Sequence, residues 1–240
     1  MSVQPTRYFS FLYLIADCVF LLFFLGLLFY KKRYQTLLFS LAGGILYFIV
    51  DFGYFYALSG SREIFINGVE TSPLETALIL LWMSFSYGIT NFAYIWILIG
   101  KDKEWKLFIG LILGWWMFAP GLMGFSESVI ETTRMTGKYH LAMLIILIVG
   151  YGSYILYHLI RHKPFIKAVL YQNLIGITVQ LAWEGALLLS HIRPWTDGAL
   201  ATLIIDSLIE TNLGIPYIAA IFIWAHKKRQ EDLSPAKVVQ

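Results

Sequence analysis

A single cysteine, Cys18, in a chain of 240 residues excludes an intramolecular disulfide. Charge is also scarce. Asp, Glu, Lys and Arg make up 14% of the residues against about 25% in a soluble domain, while hydrophobic residues reach 58%, which excludes an ordinary soluble fold. Metal and nucleotide signatures are missing: there is no HExxH, no GxxxxGK[ST] and no DDxxD, and the five histidines stand at the ends of apolar runs or between them. Histidine-held metal, P-loop and magnesium-diphosphate chemistry are therefore set aside, and no cofactor is expected. The last apolar run contains no lysine, so a retinal Schiff base is excluded as well. A net charge of only +3, with most basic residues in short connectors, gives no patch for nucleic acid.

What the chain has in abundance is long apolar runs, and its mean hydropathy is +0.68. Seven runs, near 10–30, 36–58, 76–99, 105–125, 140–160, 168–190 and 198–225, each approach the roughly 20 residues that cross a bilayer core. The expected fold is all-α: one polytopic transmembrane domain of seven helices, with residues 226–240 as a solvated tail. The first run exceeds the roughly 7–15 apolar residues of a signal-peptide core, so it is expected to be a span. Thirteen basic residues, in the groups Lys31–Arg33, Lys101–Lys106, Arg161–Lys167 and Lys227–Lys237, fall on one side; Arg7, Arg62, Arg134, Lys138 and Arg193 fall on the other. The positive-inside rule then puts the N-terminus outside and the C-terminus in the cytoplasm. Such a protein belongs in a bacterial cytoplasmic membrane or the endoplasmic reticulum. The connectors 59–75 and 126–139 are too short to fold independently and read as loops. A weak 3+1+3 parallel repeat is suggested by the equal spacing of Gly43 to Asp51 and Gly176 to Glu184, and by Thr-Asn pairs at Thr90-Asn91 and Thr211-Asn212.

Five carboxylates lie inside the spans: Asp17, Asp51, Glu184, Asp206 and Glu210. None has a Lys or Arg within a span. An acid at mid-membrane costs roughly 2.5–3.5 kcal/mol on insertion scales, so several together are expected to line an interior cavity, with one or more uncharged and able to act as a general acid. Helical spacing gathers polar residues beside them: Tyr47, Asp51 and Tyr54; Tyr87, Asn91 and Tyr94; Asn173, Gln180 and Glu184. Trp183 and these tyrosines are candidates for an aromatic cavity wall that stabilises cations. Gly214 and Pro216 are expected to kink the last span near Glu210.

In chain order, IADCVFLLFFLG, KKRY, IVDFGYFY, IGKDKEW and IETNLG resemble the small seven-helix integral-membrane terpene cyclases of fungal meroterpenoid and indole-diterpene pathways and their bacterial relatives, from about Ala16 to Trp224. In that family a Glu in the second helix and an Asp in the seventh protonate a terminal epoxide or alkene of a prenyl chain. The matching positions here are Asp51 and Glu210, with the two acid types exchanged, and Val50 stands where the family has Trp. The resemblance implies a metal-independent cyclase whose partner is a prenylated, lipid-like amphiphile in the membrane, with Asp51 and Glu210 catalytic and Asp17, Glu184, Asp206, Asn91 and Asn212 supporting. By helical spacing, the expected substrate pocket is walled by Tyr47, Tyr54, Tyr87, Tyr94, Trp183 and Gln180. The same intramembrane acids also fit a small proton-coupled transporter or a lipid-binding membrane protein without turnover.

Overall fold

The computed structural model describes residues 6–125, 128–134, 139–196 and 199–233. Helices dominate: α1 (Phe11–Tyr30), α2 (Tyr34–Phe48), α3 (Pro73–Ile99), α4 (Trp105–Phe118), α5 (His140–Ile160), α6 (Ile166–Leu189), α7 (Ala199–Ile209) and α8 (Ile215–Leu233). A π-helical segment, Ile49–Leu58, continues α2, and a 3-10 segment, Ala119–Phe125, continues α4. Among the described residues, five stretches are long and apolar enough to cross a bilayer, namely Phe11–Tyr30, Tyr34–Leu58, Pro73–Ile99, Trp105–Met123 and His140–Ile160, as a membrane protein requires.

The later helices depart from the expected pattern. Helix α6 has 24 residues, long enough to span, but Gln172, Asn173, Gln180 and Glu184 lower its apolarity. The run expected at 198–225 is not one helix. Turns over 210–214 separate α7 from α8, because Pro216 has no N–H to donate and its ring clashes with the carbonyl four residues back. The Asn212 side chain donates to the Ser207 carbonyl at 3.0 Å and takes up one acceptor that the break leaves.

The all-helical expectation also omitted a sheet. Strands β1 (Thr6–Ser10), β2 (Arg62–Ile66), β3 (Val69–Glu70) and β4 (Val129–Arg134) form one antiparallel sheet in the order β1-β4-β2-β3. Connectors 59–75 and 126–139, expected as loops, carry three of these strands; residues 126–127 and 135–138 of the second, with Lys138 among them, lie outside the described residues. The β2–β3 turn is Asn67-Gly68, with φ of 52° and 79°. Two positive φ angles in a two-residue loop match the twist of a hairpin, and Asn-Gly is the pair that tolerates them best. Side chains alternate across the sheet, and Ile64 and Ile130 are buried on its inner face.

The two ends of the bundle differ. The sheet gathers at the end where α1, α3 and α5 begin, and Tyr8 N donates to the Ile192 carbonyl at 2.8 Å, drawing in the turn after α6. At the opposite end the basic turns meet: Lys31 pairs with Glu104 at 2.7 Å and Arg33 with Asp102 at 2.6 Å. Helix α3 runs through the middle and is buried along most of its length. A capping box starts it, with Ser72 and Glu75 satisfying each other's backbone N–H groups and Pro73 in the first turn. It meets α2 through glycines: a Cβ on Gly88 would lie 2.6 Å from Gly44 Cα, so only small residues allow this approach.

Candidate functional site

The spans hold no basic partner for their acids, but the segments between them do. Arg7 on β1, Arg62 and Arg134 on β2 and β4, and Arg193 in the turn after α6 all reach into the bundle. Arg62 and Arg134 are directly opposite each other across the β2–β4 ladder. Like charges in that position repel, and Asp51 sits where it can offset both. The π-helical segment carries Asp51, and a wider helix of this kind re-aims a side chain away from the α-helical direction.

Asp51 and Glu210, separated by most of the chain, converge on one guanidinium. Arg134 Nη1 lies 3.3 Å from Asp51 Oδ1, and its Nη2 lies 2.5 Å from Glu210 Oε1. Arg62 Nη2 approaches Asp51 at 3.8 Å, and the Tyr87 hydroxyl donates to the same carboxylate. Gln180 Nε2 donates to Glu210 at 3.3 Å while its own oxygen accepts from the Thr211 hydroxyl at 2.6 Å, which fixes the amide. Arg134 stands over the Phe55 ring at 5.2 Å. Burial opposes its charge, but the carboxylates of Glu210 and Asp51 outweigh burial and hold the guanidinium above its ordinary pKa. Arg134 is thus a fixed positive charge between two acids.

The remaining acids are treated differently. Glu184 is fully buried and takes Arg7 at 2.6 Å and Arg193 on its two oxygens. Asp206 faces His140 Nε2 at 3.8 Å, and its backbone carbonyl accepts from Glu210 N. Asp17 lies elsewhere: Trp82 Nε1 donates to it at 2.9 Å and Trp115 Nε1 at 2.6 Å, and among the described residues no Lys, Arg or His comes within ion-pair distance. Asp51, Glu184 and Glu210 thus have arginine partners, although none lies within a span. The physical reason is that their arginines come from strands and a turn, outside the spans in which partners were sought.

A cleft of about 60 Å³ opens among these groups. Glu210, Glu184, Gln180, Tyr47, Tyr87 and Trp183 wall it, together with Arg7, Arg134, Asn91 and Thr211. The Tyr47 and Tyr87 rings meet edge to face at 5.3 Å, and Tyr87 is 6.2 Å from Trp183. The Asn91 amide oxygen is buried and has no hydrogen-bond partner among the described residues. At about 30 Å³ per liquid water the space holds roughly two waters, or the end of a larger molecule. Other candidates fall outside. Tyr54 is half-exposed and packs on Tyr139, Tyr94 stacks on Trp116, and the Asn212 oxygen lies against Gly176, whose missing Cβ leaves it room. The sequence signal for the four inward arginines is the Asn67-Gly68 pair between two β-rich runs, which marks strands and so inward-facing side chains.

Among the described residues no group of three or more His, Cys, Asp and Glu could hold a metal ion. No family model matches the chain, and no curated protein or solved structure matches it. Function must be argued from the site.

Proposed function

We propose that the protein is a metal-independent membrane cyclase that acts on a prenylated amphiphile. The observation that carries this reading is an aromatic-walled cleft lined by Glu210 and Arg134, with Asp51 joined to it through the same guanidinium. One carboxyl group passes its proton to an epoxide oxygen, or to an alkene carbon, of the bound chain. With an epoxide, the C–O bond breaks, a neighbouring alkene attacks the tertiary cation and a ring C–C bond forms. A final C–H proton goes to the second carboxylate, so the product is an isomer of the substrate. Arg134 favours the step because it stabilises the carboxylate left behind, and the faces of Tyr47, Tyr87 and Trp183 stabilise the cation. A cleft of about 60 Å³ admits only the reacting terminus, so the rest of the chain requires displacement of the walls.

In this reading the seven crossings are α1 to α6 plus the broken pair α7–α8, with the sheet outside and the basic turns in the cytoplasm. The 3+1+3 repeat is supported by its glycines: Gly43 gives room to Phe92, next to Thr90-Asn91, and Gly176 gives room to Asn212. A second reading, in which the ion pairs only lock the sheet to the bundle, is favoured by the small volume of the cleft.

Purified protein incubated with a terminally epoxidised prenyl arene should yield a cyclised product of unchanged mass, and Glu210→Gln and Asp51→Asn should lower that conversion more than 100-fold while binding persists. Conversion unaffected by either substitution would falsify the assignment. No conversion across epoxide and alkene substrates, with thermal stability lost in both variants, would favour the structural lock.

A further inference from the structure

At the basic end, far from the acids, a groove of about 740 Å³ lies between the turn that joins α3 to α4 and the first half of α6. Its wall is apolar: Leu98, Leu174 and Ile175 line it. Its mouth carries Lys101 and Lys103, with Trp105 half-exposed at the lip. The acid between the two lysines is not available to them. Both oxygens of Asp102 are taken by Arg33, at 2.6 and 3.1 Å, and one also accepts from Glu104 N at 2.8 Å. Among the described residues no carboxylate comes within 4 Å of either lysine. Lys101 adopts a left-handed backbone, φ 48°, and its ammonium stands 5.9 Å from the centre of the Tyr171 ring. The Tyr171 hydroxyl donates to the Leu98 carbonyl at 2.8 Å and so ties α6 to the end of α3 as the floor of the groove.

Two unpaired ammonium groups over an apolar trench suit a ligand that is anionic at one end and hydrocarbon at the other. The trench runs seven residues along each helix, from Lys101 to Tyr94 and from Tyr171 to Thr178, or about 10 Å at 1.5 Å per residue. That depth reaches from the headgroup layer into the acyl layer of a bilayer, where Trp residues gather at the boundary. A free phosphate would fill a small part of the volume and leave the wall unused.

We propose that this groove binds an anionic phospholipid, with its phosphate between Lys101 and Lys103 and one acyl chain along Leu98, Leu174 and Ile175. The test uses the full chain in a neutral detergent, titrated with phosphatidylglycerol, phosphatidylcholine of the same chains, or glycerol 3-phosphate. Retained lipid is read by native mass spectrometry and stabilisation by thermal unfolding. The expected result is retention and stabilisation by phosphatidylglycerol, about thirtyfold weaker binding of phosphatidylcholine given two interfacial cations, and no binding of glycerol 3-phosphate at matched concentration. Lys101→Ala with Lys103→Ala should abolish the preference, Lys101→Arg with Lys103→Arg should keep it, and Lys163→Ala on another basic turn should leave it unchanged. Equal binding of the two lipids would overturn the proposal. So would binding of glycerol 3-phosphate alone, or loss of the preference in Lys163→Ala to the same degree.

Discussion

Two buried acids flank α3, and the protein accommodates them by different chemistry. Asp17 is held by two indole N–H groups from Trp82 and Trp115. Asp51 is held by the Tyr87 hydroxyl and by two guanidinium groups, from Arg62 and Arg134. Trp82 and Tyr87 are five residues apart on α3, about 140° around the helix, so the two sites face different ways. What differs is which side chains the sheet sends inward. Above Asp17, β1 contributes Phe9, whose ring lies 5.3 Å from Trp82 and 5.5 Å from Tyr13. Over Asp51, β2 and β4 contribute their arginines. An acid met by neutral donors has no charge to balance it, and an acid met by cations can exchange a proton against a fixed positive charge. Asp51 shares Arg134 with Glu210, and Arg134 and Glu210 line the cleft; Asp17 has no such link, and the catalytic proposal therefore rests on Asp51 and Glu210.

The comparison can be broken most sharply at Arg134. Arg134→Ala leaves the buried Asp51 and the partly exposed Glu210 without their shared cation, and removing one partner of a buried pair costs about 3–5 kcal/mol. Unfolding in mixed micelles should report that loss, and adding Asp51→Asn and Glu210→Gln to the same chain should recover most of it. A loss below about 1 kcal/mol would mean that the guanidinium is not a structural partner of these acids. Asp17→Asn is expected to cost less, about 1–3 kcal/mol, because one carboxylate oxygen becomes an amide NH2 facing an indole N–H. Its effect should add to that of Arg134→Ala, since the two sites share no partner; strong coupling in a double-mutant cycle would join what is separated here. The smallest effect is expected at Gly68→Ala, about 1 kcal/mol from forcing a Cβ into a left-handed turn that Gly68 occupies at φ 79°. Amide exchange confined to β2 and β3 would show that the hairpin alone is loosened.

Much of this was legible in the residues themselves. The apolar runs marked five stretches that are long enough to span, and Tyr47, Tyr87, Asn91, Gln180 and Glu210, singled out on separate runs, meet at one cleft. Gly214 and Pro216 signalled a kink near Glu210, where the structure has a full break between α7 and α8. The sheet was missed because β2 and β4 are short and sit in connectors, although Arg62 and Ile64, and Ile130, Thr132 and Arg134, alternate as inward faces do. Tyr54 and Tyr94 were placed at the cleft by spacing alone. The π-helical turn shifts the angular period after Ile49, and α3 turns Tyr94 toward Trp116.

The sequence by itself determined which segments are apolar and long enough to cross a bilayer, five of them in the described residues, because length, apolarity and a 3.6-residue period are local properties. Only the tertiary structure decided which charges the acids meet. Arg62 and Arg134 lie far apart in the chain and become neighbours through the register of one strand pair, and a strand shifted by a single residue would turn its arginine to the opposite face.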